Sequence, residues 1–185
     1  MAATVSPISV TTAYDGAIAA YGFNLVASTV SGAAPDISYG SAGSDFVVQF
    51  TDVARTGITG DRMSFQIRLT QTTNVVKIVY NNWAATTTTT SVANFGQVGM
   101  RGLTNTAFLN RMVYPTAPYN TWLTSGGGAD NGATPLQAIS TSGPGGPNCM
   151  RYNNSYLPGN GLTYTYTPVA AGFYQVLPYT QNFES

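Results

Sequence analysis

Strict alternation of apolar and polar side chains recurs along this chain, and that period of two limits it to strands, because only a strand sends successive residues to opposite faces. Phe46, Val48 and Phe50 point one way while Val47, Gln49 and Thr51 point the other. Met63, Phe65, Ile67 and Leu69 alternate with Ser64, Gln66, Arg68 and Thr70. After the short polar residues Gln71-Thr72-Thr73-Asn74, the pattern resumes with Val76, Ile78 and Tyr80 on one side and Lys77 on the other, which reads as an antiparallel hairpin. Val98 and Met100 alternate with Gln97 and Arg101, and Leu162, Tyr164 and Tyr166 with Thr163, Thr165 and Thr167. β-branched and aromatic residues dominate these runs, as a pleated, half-buried surface prefers.

Helical patterning is scarce. Only Gly16 to Ala27 and Thr106 to Tyr114 could hold a turn or two, and the first reads equally well as an apolar strand from Ala17 to Val26. Short strands separated by Gly, Pro, Asn and Ser therefore predict an all-β fold, an antiparallel two-sheet β-sandwich of jelly-roll or immunoglobulin-like layout with little or no helix. Ala84 to Ser91, with its five threonines, and the Gly-, Ser- and Pro-rich Ser125 to Asn148 read as long surface loops. The last alternating run stops at Pro168, and small residues follow. The expected organisation is a sandwich module over residues 1–168, lacking its opening strands, then a linker and the start of a following module over 169–185.

Composition narrows the function. Charged residues make up only 8% of the chain, and seven basic residues balance seven acidic ones. The cations are scattered, so neither nucleic acid, which needs clustered cations, nor an anionic membrane surface fits as a partner. No stretch has the ~20 apolar residues of a spanning helix, and Met1 to Ala20 shows no export signal. The neutral, Thr-, Ser-, Asn- and Tyr-rich surface nevertheless reads as extracellular.

The inventory for chemistry is short. The chain has no His and a single cysteine, Cys149, which excludes a disulfide framework and a Cys-His nucleophile pair and reads as a small core filler. General acid-base work would fall on Asp15, Asp36, Asp45, Asp52, Asp61, Asp130 and Glu184, most of them beside Gly, Ser or Thr at strand ends, where carboxylates stabilise turns. Lys77 lies on a strand face as a solvated cation rather than a desolvated base. The Asp130-Asn131-Gly132 turn offers too few oxygens for calcium, and Asp36, Asp45 and Asp52 could converge only through tertiary structure. No enzyme activity, no cofactor and no metal site is expected. For ligand binding the candidates are Tyr114, Tyr119, Trp122, Tyr152 and Tyr156, aromatic residues in a Gly-, Asn- and Pro-rich region that could stack on a sugar or a protein surface, or else cover the ends of the sandwich.

The order of segments carries a resemblance. Ala17-Ile18-Ala19-Ala20-Tyr21 with Asn24-Leu25, then Ile37-Ser38-Tyr39, Phe46 to Phe50, Ser64 to Leu69 and Val76 to Tyr80, resembles a β module of large secreted surface proteins of Bacteroidetes-type bacteria, many of them type IX secretion substrates. Gln97 to Gly102, the loop with Trp122 and Pro158 to Pro168 are similar to its closing part, and Leu177 to Glu184 to the opening of a next module. The layout is more distantly similar to the nidogen-type extracellular domain. The resemblance implies a secreted or cell-surface structural or adhesive module that contacts other protein modules or glycans. A carbohydrate-binding module attached to a secreted enzyme, and a self-assembling surface or filament subunit, are the alternatives. A module without its opening strands would also leave an open sheet edge, through which the chain could associate with itself.

Overall fold

The computed structural model of the chain describes residues 7–9, 16–87, 95–104, 106–112, 122–123, 126–129 and 149–167. Two antiparallel sheets pack face to face, and no helix occurs among these residues, as the alternation predicts. The larger sheet is built on the long central strands β4 (Asp45–Arg55), β5 (Arg62–Thr70) and β6 (Val76–Ala84). β11 (Thr163–Tyr166), the last strand among the described residues, flanks β6, while β2 (Leu25–Ala27) and β3 (Asp36–Ala42) lie end to end along the far edge of β4. The smaller sheet runs β1 (Ala17–Gly22), β7 (Phe95–Arg101), β8 (Phe108–Met112) and β9 (Gly126–Ala129), with β10 (Met150–Arg151) also on β7.

The β5–β6 hairpin has the expected turn. Thr70 donates its N–H to Val75 O at 2.8 Å, and Thr72 and Asn74 adopt positive φ to close the reversal. Gly16 to Ala27 is not one strand or a helical turn but two strands in different sheets, since the chain crosses the sandwich at Phe23 and Asn24. Thr106 to Tyr114 contains β8, a strand rather than a helical turn, because pairing with β7 overrides a weak local preference. Gly126–Ala129, expected within a loop, pairs with β8: glycines form strands poorly alone, but tertiary pairing supplies the hydrogen bonds.

The core between the sheets is aromatic. Tyr21, Phe65, Tyr80, Trp83, Trp122, Tyr152 and Tyr164 meet mostly edge to face, with ring centroids 5.2 Å apart for Tyr80 and Trp122 and 4.8 Å for Trp83 and Tyr152. Edge-to-face contact aligns the positive rim of one ring with the negative face of the next. Most of the buried polar handles find an acceptor. Trp83 Nε1 donates to Ser64 O at 2.8 Å, Trp122 Nε1 to Arg151 O at 2.7 Å and Tyr80 OH to Ala20 O at 2.8 Å, while the hydroxyls of Tyr152 and Tyr164 donate to the carbonyls of Ala84 and Trp122.

A second, smaller cluster forms where Ile8 packs with Ala19 and Phe108. Gln97 holds the segment there: its side-chain oxygen accepts from Ile8 N at 2.8 Å and Ser9 N at 3.2 Å, and its Nε2 donates to Ser9 Oγ at 2.7 Å. Gln97 is therefore fully buried, although alternation alone assigns it to solvent.

Candidate functional site

The outward face of the larger sheet carries the polar half of the alternation. Register sets Gln49 beside Gln66 and Gln66 beside Val79, with Val47, Arg68, Lys77 and Thr165 in the next row. A hydrogen-bonded chain crosses it: Gln49 Nε2 donates to Thr51 Oγ1 at 3.0 Å, Gln66 Nε2 to Gln49 Oε1 at 2.6 Å, and Arg68 Nε to Gln66 Oε1 at 2.8 Å. Asp45 ends the chain. Its carboxylate accepts from Thr70 Oγ1 at 2.7 Å and lies 3.7 Å from Arg68 and 3.5 Å from Lys77. Primarily the Thr70 hydroxyl, and then both cations, hold the Asp45 carboxyl below its ordinary range.

Alongside this chain lies a shallow concavity of ≈ 490 Å³, lined by Gln49, Thr51, Ser64, Gln66, Val79, Asn81, Asn82 and Gly161, and by Phe50, Phe65 and Tyr80 among others. Two irregularities shape it. The β4–β5 register shifts between Phe50 and Val53, and the β5–β6 register between Arg62 and Ser64. Asp52 and Asn82 take positive φ there, a conformation that Asp and Asn accept more readily than other side chains.

The bulges turn Asp52 inward against Arg62. The pair is bidentate, Arg62 Nε to Oδ1 at 2.7 Å and Nη2 to Oδ2 at 2.8 Å, and the carboxylate also accepts from Ala34 N at 2.8 Å and Ser64 Oγ at 3.2 Å. The Arg62 bonds lead in holding the Asp52 carboxyl down at about 2. Deeper still, Arg55 and Asp61 form a fully buried pair with Nη2 to Oδ1 at 2.9 Å, and the Arg55 guanidinium lies 4.4 Å from the centre of the Tyr152 ring while donating to Tyr152 O at 3.2 Å. These three aspartates thus serve as acceptors for cations on neighbouring strands rather than as simple turn residues.

The aromatic candidates fall elsewhere. Trp122 is 1% exposed and Tyr152 0% exposed, and both rings are covered by others of the core. Tyr156 is half-buried with the Arg151 guanidinium 4.7 Å from its ring centre, and its carbonyl accepts from Trp122 Nε1 at 3.2 Å. Trp122 and Tyr152 both pack against Tyr21 and Trp83 within the aromatic cluster, with Tyr156 tied to Trp122; Tyr114 and Tyr119 lie outside the described residues. Sequence reasoning did not single out Gln49, Gln66, Asn81 and Asn82 as a surface, although the outward alternation of Gln49 and Gln66 was its signal.

Cys149 is buried, and burial pushes its thiol up to about 12. Among the described residues no three acidic or cysteine side chains converge as a metal site would require, and no helix is long and apolar enough to cross a membrane.

The geometry defines a β-sandwich with a polar, hydrogen-bonded outer face. Residues 6–168 match the family model described as NIDO related, so the chain belongs to the NIDO-related family, whose kinship with nidogen-type domains suggests an extracellular module. No curated protein and no solved structure matches it.

Proposed function

We propose that the chain is a non-catalytic structural or adhesive module of a large secreted or cell-surface protein, working through contact with other protein modules or glycans. The supporting observation is the outer face of the larger sheet, whose amide and hydroxyl groups are held by one another in fixed positions. A preorganised polar surface suits a polar partner, because little ordering cost is left for binding. Catalysis is poorly served by the same residues. A general acid needs a raised pKa, whereas cations and hydroxyls hold Asp45 and Asp52 ionised.

The alternative, a carbohydrate-binding module attached to an enzyme, draws support from the concavity beside Gln49 and Gln66. Phe50, Phe65 and Tyr80 border that concavity, but their rings pack with the core cluster, so among the described residues no freely exposed ring stands there as a stacking platform. A glycan array followed by titration of the isotope-labelled chain separates the two. The structural or adhesive reading expects no saturable binding of free sugars in the concavity beside Gln49 and Gln66. Saturable binding with shifts at Gln49, Gln66 and Asn81 would replace it with the alternative. Membership in a surface protein of the Bacteroidetes type, with type IX export, rests on segment order and is tested by the reading frame around this segment.

A further inference from the structure

β3 is an edge strand that no other element covers among the described residues. All seven of its residues are exposed, and they pair with β4 from Asp36↔Thr51 to Ala42↔Asp45 without a break in register. Among the described residues no strand lies along its other side. In an antiparallel edge strand alternate residues direct both N–H and C=O away from the neighbour, so β3 presents a row of open hydrogen-bonding groups. Such edges are ordinarily blunted by Lys, Pro or a bulge. Asp36-Ile37-Ser38-Tyr39-Gly40-Ser41-Ala42 contains none of these, and its one charge sits at the first position.

An apolar corner adjoins the edge. Register places Ile37 and Tyr39 on the same face as Phe46 and Leu69, the face that farther along carries Phe65 and Tyr80 into the core. The four side chains are 62%, 80%, 44% and 39% exposed, and the Tyr39 and Phe46 rings are 6.1 Å apart. Open backbone and exposed apolar surface therefore coincide in one place.

We propose that β3 pairs antiparallel with β3 of a second copy of this chain, about a two-fold axis through Tyr39, joining the two larger sheets into one. The occupant follows from the strand itself. Centred on Tyr39, all seven residues pair: Tyr39 faces Tyr39 of the second copy, Ile37 faces Ser41, Ser38 faces Gly40 and Asp36 faces Ala42. The carboxylate never meets its copy, whereas registers centred nearer Asp36 bring the two carboxylates together and pair fewer residues. The axis stands normal to the sheet, so the apolar corners of both copies fall on the same side and adjoin. A chain of net charge +0 meets no net repulsion from its copy. The pairing deepens the contact role proposed above by naming one partner, and it rests on that reading only for its use.

The test is sedimentation of the full chain across a concentration series, with wild type, Tyr39→Lys, Tyr39→Glu and an equimolar mixture of the two variants. Wild type is expected to form a dimer that closes at two. Each variant, folded by circular dichroism, is expected to weaken it about tenfold or more by setting like charges opposite each other, and the mixture to restore it. Gly40→Lys, at a position where an added Cβ meets nothing, is a second blocking variant expected to act in the same direction. A wild type that stays monomeric at high concentration overturns the pairing, as does a dimer that survives Tyr39→Lys and Gly40→Lys, a mixture that remains monomeric, or open-ended assembly. A monomeric result leaves the contact role standing, because sugar titration reads that role separately.

Discussion

Asp52 shows how one residue ties the outer face to stability. Its carboxyl ionises at about 2 when folded, against an ordinary 3.8, because Arg62, Ala34 N and Ser64 hold the anion. The unfolded chain therefore binds more protons between those values, so stability rises with pH there: the contribution is complete above the ordinary value and is lost as pH falls towards 2. Denaturant titrations at pH 5 and pH 2.5 should show the loss, and Asp52→Asn should flatten the difference. Two core tyrosines give a contrast of another kind. Tyr80 OH donates to Ala20 O at 2.8 Å, whereas the buried Tyr21 OH has no hydrogen-bond partner among the described residues. Tyr80→Phe should cost about 1 kcal/mol and leave an acceptor unmet, while Tyr21→Phe should be neutral or stabilising, since it removes a hydroxyl desolvated without compensation. Equal losses in thermal or chemical melts would contradict that assignment.

At the scale of elements, close approach of strands explains which glycines the fold requires. Gly99 in β7 has φ +143°, and an added Cβ would lie 2.1 Å from Leu109 O and 2.6 Å from Asn110 Cα on β8. Neither atom can move without breaking the β7–β8 ladder. Gly99→Ala should therefore destabilise by more than about 2 kcal/mol, combining overpacking with backbone strain. Gly40 in β3 is the control: its Cβ would meet nothing, and its φ is outside the left-handed region. Gly40→Ala should stabilise by about 0.4–1 kcal/mol through the unfolded state, measured in dilute solution where self-pairing is absent. If both substitutions cost the same, the close packing of β7 on β8 is not what selects glycine at position 99.

Across the whole molecule the two sheets are bound into one cooperative unit by chain crossings and by a shared aromatic core. β1 passes directly into β2 of the opposite sheet, and the chain returns from β10 in the smaller sheet to β11 in the larger. Rings from both sides interlock through Tyr21, Trp83 and Trp122. Backbone circular dichroism and tryptophan fluorescence should consequently report one coincident transition. Cys149 offers an independent probe, since its thiol is buried and its pKa is pushed up to about 12. Thiol labelling should be slow in the native state and should track global unfolding with denaturant, whereas fast native labelling would reveal local opening around β10.

The sequence by itself determined the all-β class, the faces of the central strands and the β5–β6 hairpin, because a period of two is a local signal that each strand carries alone. It also marked Gln49, Gln66 and Arg68 as outward-facing. Tertiary structure alone decided the rest. Whether Gly126–Ala129 is loop or strand depends on β8 lying beside it. The burial of Gln97 depends on Ile8 and Ser9 returning from nearly ninety residues away, and the burial of Trp122 and Tyr152 depends on which rings face them. Local alternation cannot show that Asp52 meets Arg62 through two bulges, or that Arg55 meets Asp61 away from water. Nor does it distinguish β3, exposed on both faces, from its neighbours. Composition and periodicity describe one segment at a time; burial and ion pairing are properties of pairs of segments, and only the packed sheets bring those pairs together.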